Sequence, residues 1–141
     1  MTDPLIFDTA REHLAVDLDL DWTAGAVTAL LVDKDTWTPS AGDDFVDTAL
    51  SAGAIETSGT RQILPSPTAT VSGGDHRVYW DGNPIVYPGV LNAETFDTLV
   101  LYQAVTNDTD SYLIAAYDLG AQVGDGNNVT LTPDTLGYIS I

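Results

Sequence analysis

Thr98-Leu99-Val100-Leu101-Tyr102-Gln103-Ala104-Val105, the polar stretch Thr106-Asn107-Asp108-Thr109-Asp110-Ser111, then Tyr112-Leu113-Ile114-Ala115-Ala116-Tyr117-Asp118-Leu119 form the most apolar part of the chain. Two β-prone apolar runs joined by polar residues predict two long buried strands, the core of an antiparallel sheet. Upstream, short β-prone runs at 61–64, 68–71, 76–80 and Ile85–Tyr87 are separated by Pro65-Ser66-Pro67, Gly73-Gly74-Asp75 and Asp81-Gly82-Asn83-Pro84, residue types that favour turns. Downstream, Gly124-Asp125-Gly126-Asn127-Asn128 reads as a hairpin turn into Val129-Thr130-Leu131, and the chain closes on Leu136-Gly137-Tyr138-Ile139-Ser140-Ile141.

The first third differs. Phe7, Ala10 and Leu14 recur at helical spacing between Pro4 and Ala15, which predicts a short amphipathic helix with Asp8 as its cap. The run 26–32, closed by Asp33-Lys34-Asp35, predicts a buried strand and a polar turn. After the loop Thr38-Pro39-Ser40-Ala41-Gly42, Asp43 precedes Phe45, Val46, Ala49 and Leu50, whose spacing predicts helical turns capped by an acid. The fold class expected is mainly β, an antiparallel β-sandwich or barrel with one or two short N-terminal helices, in a single domain spanning 1–141. Residues 98–105 and 112–119 supply the core, leaving 68–71 and Ile85–Tyr87 as edges open to neighbours.

Eighteen Asp and three Glu face one Lys (Lys34) and three Arg (Arg11, Arg61, Arg77), a net charge of −17 over 141 residues. Asp dominates although Glu is the better helix former, so the acids belong to turns and strand edges. Such a charge strains the compact state by self-repulsion at ordinary ionic strength; at about 1 M salt the screening length falls to roughly 3 Å and the strain is relieved. Four scattered cations cannot assemble the basic patch that nucleic acid or anionic lipid requires, so neither is expected as a partner. Cysteine is absent, which excludes disulfides, thiolate metal sites and a cysteine nucleophile. Met1-Thr2-Asp3-Pro4 lacks the features of a signal peptide and the apolar runs are too short to span a bilayer, so a soluble chain made without export is expected.

Asp17, Asp19 and Asp21 alternate, so on an extended strand all three carboxylates would share one face, a geometry that attracts Ca²⁺. The spacing opens like an EF-hand loop, but the sixth position is Trp22 and the twelfth Thr28, so an EF-hand is excluded. A solvated acidic edge with Leu18 and Leu20 facing inward is the preferred reading, with no cofactor required and these three acids as the only metal candidates. Asp125 and Asn127 are explained by a turn. His13, beside Glu12, reads as a surface residue; His76 reads as the structural start of a strand. No Gly-x-Ser-x-Gly elbow, phosphate loop or distinct carboxylate pair marks a catalytic site, and no catalytic residue is expected. Asn107-Asp108-Thr109 and Asn128-Val129-Thr130 fit the glycosylation pattern. Trp37, Tyr79, Trp80 and Tyr87 would make a sugar platform only if they shared a surface; adjacent strand residues point apart, so core packing is favoured.

The order of Leu14, the acidic stretch to Trp22, Ala26-Val27-Thr28-Ala29-Leu30-Leu31-Val32-Asp33, Thr38-Pro39 and Asp44-Phe45-Val46-Asp47 resembles a family of small structural proteins of tailed phages and tailed archaeal viruses. Thr98-Leu99-Val100-Leu101-Tyr102, Leu113-Ile114-Ala115-Ala116-Tyr117-Asp118-Leu119-Gly120 and Thr135-Leu136-Gly137-Tyr138-Ile139-Ser140-Ile141 continue the resemblance to the C-terminus. This chain departs in passing directly from Ser58-Gly59-Thr60 into Arg61-Gln62-Ile63-Leu64. The resemblance implies a β-rich head or tail component without enzymatic activity, and the acid load adds a haloarchaeal host. The expected role is a decoration, fibre-base or turret subunit on the capsid surface, assembled in the host cytoplasm. Its expected partners are further copies of itself and virion proteins such as the major capsid protein. A tail or baseplate subunit, or a module binding host surfaces or glycans, is the alternative. Thermal unfolding followed by circular dichroism should show a large rise in midpoint between about 0.1 M and about 2 to 3 M KCl, as the Debye length of about 10 Å collapses; an unchanged midpoint would refute the halophilic reading.

Overall fold

The computed structural model describes residues 3–17, 19–24, 26–90, 92–133 and 137–140. The chain is mainly β, 41% strand and 12% helix, with antiparallel sheets in a sandwich-like arrangement. In chain order, β1 (Leu5–Ile6) leads into α1 (Asp8–Ala15), and a 3₁₀ turn (Trp22–Ala24) precedes β2 (Val27–Asp33). Then come α2 (Val46–Ser51), β3 (Ile55–Glu56), β4 (Gln62–Ile63), β5 (Thr68–Ser72), β6 (Arg77–Asp81) and β7 (Ile85–Tyr87). The last third holds β8 (Thr95–Gln103), β9 (Tyr112–Val123), β10 (Val129–Leu131) and β11 (Ile139–Ser140).

The central sheet runs β1-β9-β8-β2-β3, with β4 also pairing along β2. It is covered on both faces. Val27, Ala29 and Leu31 of β2 join Leu99 and Leu101 of β8 and Ile114 and Tyr117 of β9 on one face, against Trp80, Ile85, Tyr87, Leu131 and Ile139 from two smaller sheets. Leu30, Val32, Val100, Tyr102, Leu113 and Ala116 point the other way, against Phe7, Trp37, Val46 and Ala49. Period-two alternation therefore sorts an almost unbroken apolar run into two cores. A bulge lies between Leu101↔Ala115 and Tyr102↔Leu113, and it puts neighbouring Ile114 and Ala115 into the same core.

The smaller sheets are β11-β6-β5 and the ribbon β10-β7. Trp22 ties the first to the body: its ring stacks on Trp80 at 5.5 Å and its Nε1 donates to the Asp81 carbonyl at 2.8 Å. The Tyr117 hydroxyl donates to the Tyr138 carbonyl, and the Tyr138 hydroxyl to the Asn83 carbonyl at 2.9 Å. Tyr138 ionises above its ordinary range because burial disfavours the phenolate, with Asp81 adding to the effect.

Several expectations need correction. The N-terminal segment is not helical from Pro4: Leu5 and Ile6 pair with Ala116 and Ala115, because the free edge of β9 offers hydrogen bonds that a first helical turn could not. Asp8 is not a cap but lies in the first turn, where its charge meets the positive end of the helix and Arg11 at 2.7 Å. Asp43 does not cap α2; it accepts from Trp37 Nε1 at 3.0 Å and Ser40 N at 2.9 Å, while Thr48 Oγ1 accepts from Phe45 N at 3.3 Å. His76 sits in the hairpin turn before β6 with φ +55°. The 124–128 turn does not close a hairpin, since β10 pairs with β7; Ile85–Tyr87 keeps one side without a strand partner among the described residues, with Ile85 and Tyr87 buried and Val86 exposed. Leu18, Gly25 and the closing residues 134–136 and 141 lie outside the described residues.

The acids lie in turns and in strands alike, and many have a local task. Asp21 accepts from Thr23 N, Asp33 from Asp35 N, Asp97 from Lys34 N, Asp118 from Gly120 N and Asp125 from Asn127 N, all between 2.8 and 3.0 Å. Asp110 accepts from Thr106 N and Asn107 N, and Asp125 and Asp110 are both held below the ordinary carboxylate range mainly by such backbone donors. Leu101 is fully buried between β2 and β9, so Leu101→Ala should cost roughly 2 to 5 kcal/mol by denaturant unfolding at high salt, whereas the exposed Val105→Ala should stay within about 0.5 kcal/mol.

Candidate functional site

The described polar side chains gather most densely around the end of the β8–β9 hairpin. Arg61, between β3 and β4, is placed there because Gly59 lets the chain press against Tyr87: a Cβ on Gly59 would lie 2.4 Å from the Tyr87 ring. The guanidinium donates from Nε and Nη2 to Glu56 at 2.7 and 2.8 Å, and from Nη1 and Nη2 to Asp108 at 2.6 and 3.0 Å. Nη1 also reaches the Tyr102 hydroxyl at 3.3 Å, with the guanidinium carbon 5.6 Å from that ring's centre. Two bidentate carboxylates raise the Arg61 pKa well above its ordinary value, Glu56 first and Asp108 second, outweighing desolvation. The cluster pins the 106–111 loop to β3 and has every donor committed, so it is a staple.

The second cluster lies at the start of β9. Past α1 the chain folds back on the helix: Asp17 N donates to the Glu12 carbonyl at 3.1 Å and Asp19 N to the His13 carbonyl at 3.0 Å. This turn brings Asp19 Oδ1 to 2.7 Å and Asp17 Oδ2 to 3.6 Å from His13 Nδ1. The His13 imidazole stacks flat on Tyr112, ring centres 3.7 Å apart and planes within 6°. Tyr112 is 4% exposed, and its hydroxyl is buried without a hydrogen-bond partner. Its pKa is pushed up to about 12, first by burial and then by the negative charges of Asp19 and Asp17.

The three candidate acids thus part company. They do not share a strand face, because Asp17, Asp19 and Asp21 belong to no strand; Asp21 faces Thr23, accepting from its N at 3.0 Å and its Oγ1 at 2.8 Å. His13 takes the third place beside Asp17 and Asp19, and it is half-buried instead of a plain surface residue. The i,i+4 spacing of His13 and Asp17 was the available signal for this, whereas the Arg61 staple, which joins positions 47 apart, had none. Leu20 packs inward as expected.

Elsewhere, Trp37 and Tyr87 are buried in different cores, Trp80 is buried, and Tyr79 points outward with its hydroxyl on Asp75 at 2.7 Å, so these aromatics form no common platform. An open cleft of about 340 Å³ is lined by Leu5, Lys34, Pro39, Thr98, Tyr117 and Asp118 among others, with Lys34 Nζ 3.7 Å from Asp118. No helix among the described residues is long and apolar enough to cross a membrane. Comparison with protein-family models, with curated proteins and with solved structures finds no match to this chain.

Truncating Arg61 strands two carboxylates, so Arg61→Ala should destabilise by about 2 to 3 kcal/mol at low salt. Arg11→Ala, whose partner Asp8 is on the surface, should cost under about 0.5 kcal/mol in the same urea titration.

Proposed function

We propose that this chain is a non-enzymatic structural subunit of a virion, a decoration, fibre-base or turret protein on the capsid surface of a tailed virus from a salt-rich host. The observation that carries the reading is the edge formed by β5. In a chain with 21 acids, Thr68-Ala69-Thr70-Val71-Ser72 carries no charge, and its outer side pairs with no strand among the described residues. Val71 is 73% exposed there, and no charge or β-bulge blunts the strand against edge-to-edge pairing. The occupant this edge suits best is the same edge of a second copy, adding a strand by main-chain hydrogen bonds and burying Val71 on both sides. Exposed Ile63, on another edge, offers further apolar area for the shell. The sequence resemblance to small head and tail proteins supports the same reading. High salt would screen the −17 charge of each copy as the subunits meet.

A ring or other closed oligomer should therefore be seen by light scattering at about 2 M KCl, where the Debye length is under roughly 3 Å. Val71→Asp should shift it toward monomer and Thr109→Asp, in the polar loop, should not. Mass spectrometry of purified heads separated from tails should find the chain with the heads. A protein that stays monomeric at high concentration and high salt and is missing from heads would overturn the proposal.

A further inference from the structure

His13 Nδ1, Asp17 Oδ2 and Asp19 Oδ1 converge, with these ligand-type atoms all within 4.8 Å of one another. The convergence is built by the backbone: Asp17, Asp19 and Leu20 are held to the helix end by hydrogen bonds from their N–H groups to the carbonyls of Glu12 and His13. The imidazole is fixed by its parallel stack on Tyr112. The Tyr112 ring stacked on that imidazole belongs to a residue 4% exposed, its hydroxyl has no hydrogen-bond partner, and the charges of Asp19 and Asp17 act on it. A buried hydroxyl without a partner is costly, and a metal-bound water would supply that partner.

We propose that His13, Asp17 and Asp19 bind a divalent transition-metal ion of the zinc class, with a water in the fourth position that hydrogen-bonds to the Tyr112 hydroxyl. One imidazole nitrogen and two carboxylates suit zinc better than calcium, which prefers six to eight oxygens. A tetrahedral ion with bonds of about 2.0 to 2.2 Å holds its ligand atoms roughly 3.4 Å apart. The present separations from His13 Nδ1, 2.7 Å to Asp19 and 3.6 Å to Asp17, bracket that value, so a slight opening on one side and closure on the other suffices. The ion would tie Asp17 and Asp19 to α1 and, through its water, to the first residue of β9.

The test uses the full chain in about 2 M potassium nitrate, which suppresses diffuse cation binding to the many surface acids. Calorimetric titration with zinc should give one saturable site per chain. Asp17→Asn and Asp19→Asn should each weaken it at least about tenfold, and Asp21→Asn should leave it unchanged. The wild-type chain also carries an internal control, since His13 and His76 are its two histidines. In proton NMR the ring resonances of His13 should move on adding zinc while those of His76, in the β5–β6 turn, stay fixed. Absence of a saturable zinc site, undiminished binding by the Asp17→Asn/Asp19→Asn double variant, or equal shifts at both histidines would overturn the proposal.

Discussion

Everything in this molecule hangs on three strands, β2, β8 and the first half of β9, that are buried on both faces at once. A strand with one wet face needs an apolar side chain only at every second position; these cannot spare either set. Leu99 and Leu101 look toward the small sheets while Val100 and Tyr102 look toward the helices. The peripheral elements are too short to hold themselves: β1, β3, β4 and β11 are two-residue pairings, and α2 is six residues long. Each persists because the central sheet gives it an apolar surface or an edge to complete, since short helices and isolated pairings are marginal in water.

That dependence explains which parts of the fold were legible in the sequence. The runs at 26–32, 98–105 and 112–119 were readable because both faces are apolar, and burial by the central sheet left no other assignment. Leu5 and Ile6 were not, because their extended form is imposed by β9 and not by their own neighbours. The pairing of Val129–Leu131 with Ile85–Tyr87 was hidden for a related reason: the glycine-rich 124–128 segment has the chemistry of a hairpin turn, yet the partner is chosen by the core that Ile85, Tyr87 and Leu131 share. At the candidate site, alternating acids suggested a strand face, but Trp22 must reach Trp80 and the Asp81 carbonyl, and the chain bends to let it. The bend separates Asp21 from Asp17 and Asp19.

The aromatic residues illustrate how a single contact can settle a chemical question. Tyr79 and Trp80 are neighbours in β6, and one enters the core while the other turns to Asp75 in the solvent-facing hairpin. Tyr112 and Tyr102 sit at the same end of the central hairpin and have opposite fates. The Tyr102 hydroxyl lies within the reach of Arg61, whereas that of Tyr112 is buried without a hydrogen-bond partner and feels the charges of Asp19 and Asp17. One tyrosine completes a staple, and the other leaves a hydrogen bond unspent beside a histidine.

The carboxylates that accept from loop N–H groups carry a consequence for how this chain can change. In Asp21, Asp33, Asp97, Asp118 and Asp125 a single oxygen, Oδ1, accepts from the backbone, and the carbonyl oxygen of an asparagine amide has the same reach and the same acceptor geometry. In these Oδ1 bonds the acid adds only charge over its amide, whereas Asp33 Oδ2 also accepts from Thr95 Oγ1 at 2.6 Å and Asp118 Oδ2 lies 3.7 Å from Lys34 Nζ, contacts that an amide nitrogen would change. The architecture of the loops and the electrostatic load of the protein are therefore separable variables. Substitution between Asp and Asn can move the molecule along a scale of ionic environments, one unit of charge at a time, while the backbone keeps its path.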